Sequence, residues 1–111
     1  MSLSTHILDT ALGRPAANVA ITLLQLDGEA WHEIGNARTD ADGRCKDLLG
    51  DRFVPTTQYK LRFHTAPYFH ALNQSSLYPY IDIVFNITDR AQHYHIPLLL
   101  TANGYTTYRG S

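Results

Sequence analysis

Alternation of apolar and polar residues is the feature that most constrains how this 111-residue chain can fold. Residues 59–64 place Tyr59, Leu61 and Phe63 on one side of an extended chain, and residues 80–88 repeat the pattern with isoleucine and phenylalanine. A period of two residues is typical of half-buried antiparallel strands and does not match a helix. The chain is therefore predicted to fold mainly as β-sheet, with one face of each strand in the core.

Further segments share this strand character and are separated by turn signals. They are residues 5–9, 18–26, 31–38, 93–102 and 105–109, with turns predicted at 12–15, 27–28, 40–43 and 103–104. Pro97 places its strand near an edge or a bulge. The one credible helix spans residues 66–73, where Thr65 can cap the first turn and Pro67 suits it. About eight short strands and one helix predict an all-β sandwich in a single domain, residues 1–111.

Composition excludes several classes of function. The formal net charge is −1, so no global field attracts nucleic acid. No apolar run approaches the roughly 20 residues of a membrane span, and no secretory leader is recognisable, which favours a cytoplasmic protein. The single cysteine, Cys45, excludes an intramolecular disulfide. In a strand its side chain faces away from those of Arg44 and Lys46, so we interpret it as a packing residue.

Two histidines two residues apart are the first candidates for chemistry. His93 and His95 share one face of a predicted strand. Such a pair can hold a metal, act in acid–base catalysis or simply lie on the surface or in the core. His6, in the first strand, could approach them if the first and last strands are neighbours, but no carboxylate stands in register to complete a metal site. These alternatives stay open on residue pattern alone.

An arginine and the chain end are the second group of candidates. Arg44 follows the tight turn 40–43, where it is either solvated or aimed at a carbonyl or developing oxyanion. The chain ends on Tyr108, Arg109, Gly110 and Ser111. A ring, a guanidinium, a hydroxyl and a terminal carboxylate can recognise a small polar planar molecule, but only if the tail is held in place rather than frayed.

Five blocks of sequence resemble a known family. They are residues 5–16 (THILDTALGRPA), 39–44 (TDADGR), 78–85 (YPYIDIVF), 93–100 (HYHIPLLL) and 108–111 (YRGS). Together with Tyr105 they resemble the 5-hydroxyisourate hydrolases, the transthyretin-like enzymes of urate breakdown, over essentially the whole chain. The terminal tetrapeptide is the most specific block, because the transthyretin hormone carriers end differently. Residues 101–103 (TAN) depart from the Ser-Pro-Tyr type of loop, which removes no catalytic group.

The resemblance implies a transthyretin-like sandwich of two four-stranded antiparallel sheets, assembled as a homotetramer with sites at the interface between dimers. It implies the small-molecule substrate 5-hydroxyisourate, no cofactor and no metal. The implied catalytic residues are His6, Arg44, His95 and Ser111, and the implied substrate-binding residues are His6, Arg44, Tyr108 and Arg109. The reaction would be attack of water on a ring amide, with the histidines handling protons and arginine stabilising the oxyanion.

Two other classes of function remain as alternatives. A transthyretin-like carrier would line its channel with aliphatic groups for a hydrophobic ligand, whereas histidines and arginines suit a polar, purine-like molecule. A β-sandwich interaction module would instead use its exposed histidines and tyrosines for protein contacts. Decay of 5-hydroxyisourate in the presence of the protein discriminates between the three.

Overall fold

The computed structural model of the chain describes residues 2–111. These residues form ten strands and one helix. The elements are β1 Ser2–Asp9, β2 Arg14–Pro15, β3 Ala20–Asp27, β4 Ala30–Arg38, β5 Arg44–Cys45, β6 Gln58–His64, α1 Ala66–Ala71, β7 Ile81–Asn86, β8 His93–His95, β9 Leu98–Thr101 and β10 Gly104–Thr107. They are arranged in one sheet of six strand segments and one of four, so the predicted all-β sandwich with one short helix is confirmed.

The six-stranded sheet is built around β1 and differs from the four antiparallel strands expected. β1 pairs in parallel with β8 at its start and with β9 at its end, while β2 and β5 pair with it antiparallel. Pro97 divides the predicted strand 93–102 into β8 and β9, because proline supplies no N–H to a ladder. One long strand therefore has several short partners, which brings residues from distant parts of the sequence beside it.

The four-stranded sheet is regular and antiparallel, in the order β4-β3-β6-β7. Its register shifts once, between Leu23 and Leu24, where β3 meets β4. Tyr59, Leu61 and Phe63 of β6 are fully buried, so the face predicted from alternation is confirmed. Burial of these large apolar side chains stabilises the packing of this sheet against the other.

The core lies between the sheets and receives side chains from both. β1 contributes Leu3 and Ile7, and β9 contributes Leu98 and Leu100, all without exposed surface. Cys45 packs against this core, which confirms its interpretation as a packing residue. Burial raises the pKa of its thiol, so the side chain is a poor nucleophile at neutral pH.

Helix α1 is shorter than predicted and is not capped as predicted. Thr65 lies in helical conformation and makes no side-chain cap; its buried Oγ1 has no hydrogen-bond partner within residues 2–111. The helix stops before Asn73, whose φ of 56° cannot continue it. The Tyr68 hydroxyl donates to Asp9 Oδ2 at 2.7 Å, which ties the helix to the end of β1. Within the described residues, no helix has the length and apolar character needed to cross a membrane.

Candidate functional site

Strand β1 presents a polar face beside β8 and β5. Ser2, Ser4 and His6 alternate with side chains that point into the core. The parallel register sets Ser4 beside His95, and the antiparallel register sets His6 beside Arg44. Residues as far as 91 positions apart in sequence, such as Ser4 and His95, are thus neighbours because β1 pairs with both β5 and β8.

The turn before β5 fixes the position of Arg44. Asp40 Oδ1 accepts hydrogen bonds from the N–H groups of Asp42 and Arg44, at 2.9 and 3.0 Å. These bonds, above all the one from Arg44, lower the pKa of the Asp40 carboxyl. Gly43 has a φ of +72°, and a Cβ there would meet Ile7 O at 2.5 Å. Only glycine satisfies both conditions, so the turn can close tightly on β1 and aim Arg44 from its edge.

A pocket of about 210 Å³ opens at this junction. It contains three of the four predicted catalytic residues, Arg44, His95 and Ser111. The lining also contains His93, the second histidine of the candidate pair, and four residues for which the sequence predicted no role in a site: Ser4, Thr5, Cys45 and Lys46. Ser4 could have been found from its spacing of two residues from His6, since both must share a face once the strand is assigned.

His95 is the most constrained group in the pocket. Ser4 Oγ lies 2.7 Å from its Nδ1, and the His93 ring stacks parallel to it with centroids 6.3 Å apart. Burial lowers the pKa of His95, and electrostatic interactions with His93, His6 and Arg44 lower it further, against an opposing hydrogen bond with the Ser4 backbone. His95 is therefore mainly neutral at pH 7. Because Ser4 contacts Nδ1, Nε2 is the ring nitrogen left for a ligand in the pocket.

The chain end is held against His95. The Gly110 N–H donates to His95 O at 2.8 Å in an isolated antiparallel bridge. A Cβ on Gly110 would come within 2.5 Å of His95 Cδ2. The tail is thus ordered rather than frayed, and the missing side chain at Gly110 is what allows the imidazole to lie against the tail while Ser111 reaches the pocket.

His6 lies beside the pocket rather than in its lining. Its Nε2 is 2.9 Å from Asp42 O. Because a carbonyl oxygen can only accept, Nε2 carries a proton and Nδ1 is the acceptor nitrogen of the neutral ring. His6 also contributes to the lowered pKa of His95, after burial and His93.

Tyr108 and Arg109 lie elsewhere within one chain. The Arg109 guanidinium stacks 4.5 Å above the Tyr94 ring and donates to Gln92 Oε1 at 2.8 Å and to His93 O at 3.2 Å. Tyr108 and Arg109 line a separate groove of about 250 Å³ beside β7. A single chain does not bring them into the pocket with Arg44 and His95, so their contact with substrate stays a prediction.

Other possible sites are less well supplied with reactive groups. Among residues 2–111, no three or more histidine, cysteine or carboxylate side chains are grouped so that they could hold a metal ion. A larger depression of about 620 Å³ lies between residues 52–56 and 88–91, and its lining contains no histidine. The small pocket at β1 is the better candidate because two imidazoles, two cations and Ser111 share its lining, whereas the two depressions beside His64, of about 350 and 390 Å³, each contain one imidazole and one cation.

Comparison with known proteins agrees with this arrangement. Residues 3–110 match the HIUase/Transthyretin family. The chain belongs to that family. It is 44% identical to mouse 5-hydroxyisourate hydrolase over 98% of this chain and 94% of the relative. The solved 5-hydroxyisourate hydrolase of Klebsiella pneumoniae is 35% identical, covers 100% of both chains and superposes with a TM-score of 0.86.

The fold alone does not choose between the activities found in the family. Sea bream transthyretin, solved in complex with thyroxine, superposes on this chain with a TM-score of 0.93. It is 28% identical, and the match covers 99% of this chain and 95% of the sea bream chain. A 5-hydroxyisourate hydrolase and a transthyretin therefore share this backbone fold. The choice depends on which side chains occupy the pocket.

Proposed function

We propose that this chain is a 5-hydroxyisourate hydrolase of purine catabolism, formed as one domain over residues 1–111. The observation that carries the proposal is the meeting of His95, Arg44 and Ser111 in one small polar pocket. Near full-length similarity to the mouse hydrolase supports it. The product would be 2-oxo-4-hydroxy-4-carboxy-5-ureidoimidazoline, formed when water opens the six-membered ring at an amide bond.

In the proposed mechanism the histidines hold and deprotonate the attacking water. His95 has a lowered pKa, so it is present as the neutral base at pH 7. His6 offers Nδ1 as a second acceptor, because Asp42 O engages its Nε2. One of the two rings then returns a proton to the leaving nitrogen as the carbon–nitrogen bond breaks.

Charged groups stabilise the oxyanion and orient the substrate. Arg44 lines the pocket, and a guanidinium aimed at a developing oxyanion contributes about 3 kcal/mol to a transition state. Ser111 donates from its hydroxyl to substrate or water. These groups supply the required electrostatics from side chains, and we therefore propose a reaction that needs neither metal nor cofactor. Chelator treatment should leave turnover unchanged, whereas a loss restored by zinc would contradict this.

We further propose that the protein acts as a cytoplasmic homotetramer. Tyr108 is 54% exposed, and with Arg109 it lies outside the pocket of its own chain, so assembly would place these two residues against substrate. Light scattering should then report the mass of four 12.5 kDa chains, whereas a fully active monomer would contradict the role of assembly.

The decisive experiment follows the ultraviolet absorbance of freshly prepared 5-hydroxyisourate with and without the protein. Faster decay, saturating with substrate, is expected. The second candidate is a carrier, favoured by the backbone similarity to sea bream transthyretin. A carrier would bind a ligand saturably without changing the decay of 5-hydroxyisourate. The polar lining around Arg44 and His95 argues against it, since hydrophobic ligands bind in mainly apolar pockets.

A further inference from the structure

Serine and histidine side chains alternate in a continuous line beside the pocket. Ser4 Oγ lies 2.7 Å from His95 Nδ1 and 3.4 Å from His93 Nε2. His93 Nδ1 in turn contacts Ser2 Oγ. The line results from the parallel register of β1 and β8, which pairs Ser2 with His93 and Ser4 with His95.

Hydrogen-bond donors and acceptors along this line can all point in one direction. If Nε2 of neutral His95 accepts a proton in the pocket, its Nδ1 must carry the other proton and donate to Ser4 Oγ. The Ser4 hydroxyl is then free to donate to His93 Nε2. His93 Nδ1–H completes the sequence by donating to Ser2 Oγ. Each group has one donor and one acceptor role, so the line is internally consistent.

The line also leads from the pocket to solvent. His95 and His93 both line the pocket, but His95 is partly buried whereas His93, at the other end of the line, is exposed. A proton that arrives on His95 can therefore reach the surface in two steps, of 2.7 and 3.4 Å, without crossing the apolar core.

The proposed reaction produces a proton that must leave. A carbon–oxygen bond forms between water and the carbonyl carbon, and the carbon–nitrogen bond breaks. One proton of the water goes to the leaving nitrogen, which becomes part of a ureido group and is not basic. The new carboxylic acid is ionised at neutral pH, so the second proton of the water is released in each turnover.

We propose that Ser4 is a positioning residue that fixes the tautomer and orientation of His95, and that Ser4 and His93 together conduct the released proton to solvent. This inference rests on the proposed function. It assigns Ser4 and His93 to proton transfer, whereas substrate contact belongs to His95 and Arg44.

The positioning role is tested by nitrogen-15 NMR of the histidine rings in the intact protein. We expect neutral His95 to carry its proton on Nδ1 in the wild type and in Ser4→Thr, and to lose that preference in Ser4→Ala. A wild-type ring protonated on Nε2 would overturn the inference without any variant. Because this readout needs no substrate, it stands apart from the test of the hydrolase proposal, which fails only if 5-hydroxyisourate decay is not accelerated.

The conduction role is tested by turnover in weak and strong buffer. Ser4→Ala and His93→Phe should each lower kcat about tenfold or more in dilute buffer, at unchanged KM, because proton transfer contributes at least this much when it is assisted. Added imidazole should restore His93→Phe by carrying the proton instead. The matched control is His70→Phe, on the exposed side of α1, which should keep wild-type kcat in both buffers. Unchanged kcat in His93→Phe, or a loss that imidazole does not relieve, would overturn conduction.

Discussion

The two sheets use polar side chains in different ways. In the four-stranded sheet they satisfy one another: Arg62 pairs with Asp82, and Thr22 bonds to Asn36 and His64. Within residues 2–111 every side-chain ion pair lies on that sheet. In the six-stranded sheet Arg44 and His95 share a pocket without a carboxylate side chain in its lining. A paired charge stabilises the fold weakly, whereas a cation in a polar pocket that is not paired with a carboxylate side chain of the lining is available to a substrate.

Two histidines offer the sharpest test of this difference. His95 and His64 are both partly buried, and each has a ring nitrogen bonded to a hydroxyl, at 2.7 Å from Ser4 and 2.8 Å from Thr22. We expect His95→Asn to lower kcat for 5-hydroxyisourate by about 10²–10⁴-fold, because a general base is removed. His64→Asn should keep wild-type kcat.

Thermal unfolding of both variants provides the control for this comparison. Since the two substitutions remove similar contacts, their melting temperatures should fall by similar amounts. Equal losses of activity in His95→Asn and His64→Asn would show that the six-stranded sheet holds no special site.

Arg44 tests how the pocket sets the pKa of its base. Its positive charge helps to lower the pKa of His95, behind burial as the main cause. Removing the charge in Arg44→Gln should raise the pKa of His95 toward its ordinary value. Since the neutral ring is the active form, the acidic limb of the kcat profile should move to higher pH. The plateau should also fall by about 10²–10³-fold through loss of oxyanion stabilisation.

Arg44→Lys separates charge from geometry in the same measurement. Lysine keeps the positive charge but lacks the planar fork of arginine. We expect its acidic limb to stay at the wild-type pH while its plateau falls. A shifted limb in Arg44→Lys would show that the pKa of His95 does not depend on the charge at this position.

Gly110 tests whether the chain end positions the base. Gly110→Ala would push a Cβ to within 2.5 Å of His95 Cδ2, so the ring or the tail must move. A displacement of this size should lower kcat about 10-fold to 100-fold. The matched control is Gly104→Ala, where the nearest atom is Thr101 Oγ1 at 3.7 Å. Equal kcat in the two variants would mean that the contact between tail and imidazole has no functional role.

The sequence predicts local features of this molecule better than distant ones. Alternation in residues 59–64 predicts β6, because side-chain direction depends only on neighbouring residues. The Asn-Gly signal predicts the β9–β10 hairpin, although its turn lies at Ala102 and Asn103. The parallel pairing of β1 with β8 is not encoded in any local pattern. It follows from packing of the whole chain, so spacing alone can place Ser4 on the face of His6 but cannot predict that it lies beside His95.

The predicted site residues also fall into two groups, those that meet within one chain and those that do not. Residue types and the family resemblance predicted His95, Arg44 and Ser111, and these converge in one pocket. His6 lies beside it, bonded to the turn that carries Arg44. Tyr108 and Arg109 do not join them in one chain, since the guanidinium stacks on Tyr94. Where those two residues act depends on contacts between chains, which no single sequence pattern describes.

Tyr68 is expected to affect stability rather than activity. Its hydroxyl donates to buried Asp9, and burial together with that bond raises the pKa of Tyr68 to about 12. Tyr68→Phe leaves one oxygen of a carboxylate that is only 2% exposed without this donor. The free energy of unfolding should fall by about 1–3 kcal/mol, measured by urea denaturation. Tyr105→Phe, at a tyrosine that is 42% exposed, should change it far less, and kcat should stay unchanged in both.

The smallest effect is expected where polar groups are already paired. Arg62 donates to both carboxylate oxygens of Asp82, at 2.8 and 2.9 Å, yet the two side chains are 32% and 25% exposed. Asp82→Asn should therefore lower the free energy of unfolding by no more than about 1 kcal/mol, and the loss should shrink in 1 M salt because screening already weakens the pair.

Asp27→Asn is the control on the same four-stranded sheet. The contact of Asp27 with His32, at 4.0 Å, is more exposed and should contribute still less to the free energy of unfolding. Neither variant should change kcat, because neither carboxylate lies in the pocket lining. A large, salt-independent loss of stability in Asp82→Asn would mean that its pair is a structural anchor. A loss of turnover would be more serious, since it would couple the two sheets and show that the site extends beyond the polar face of β1.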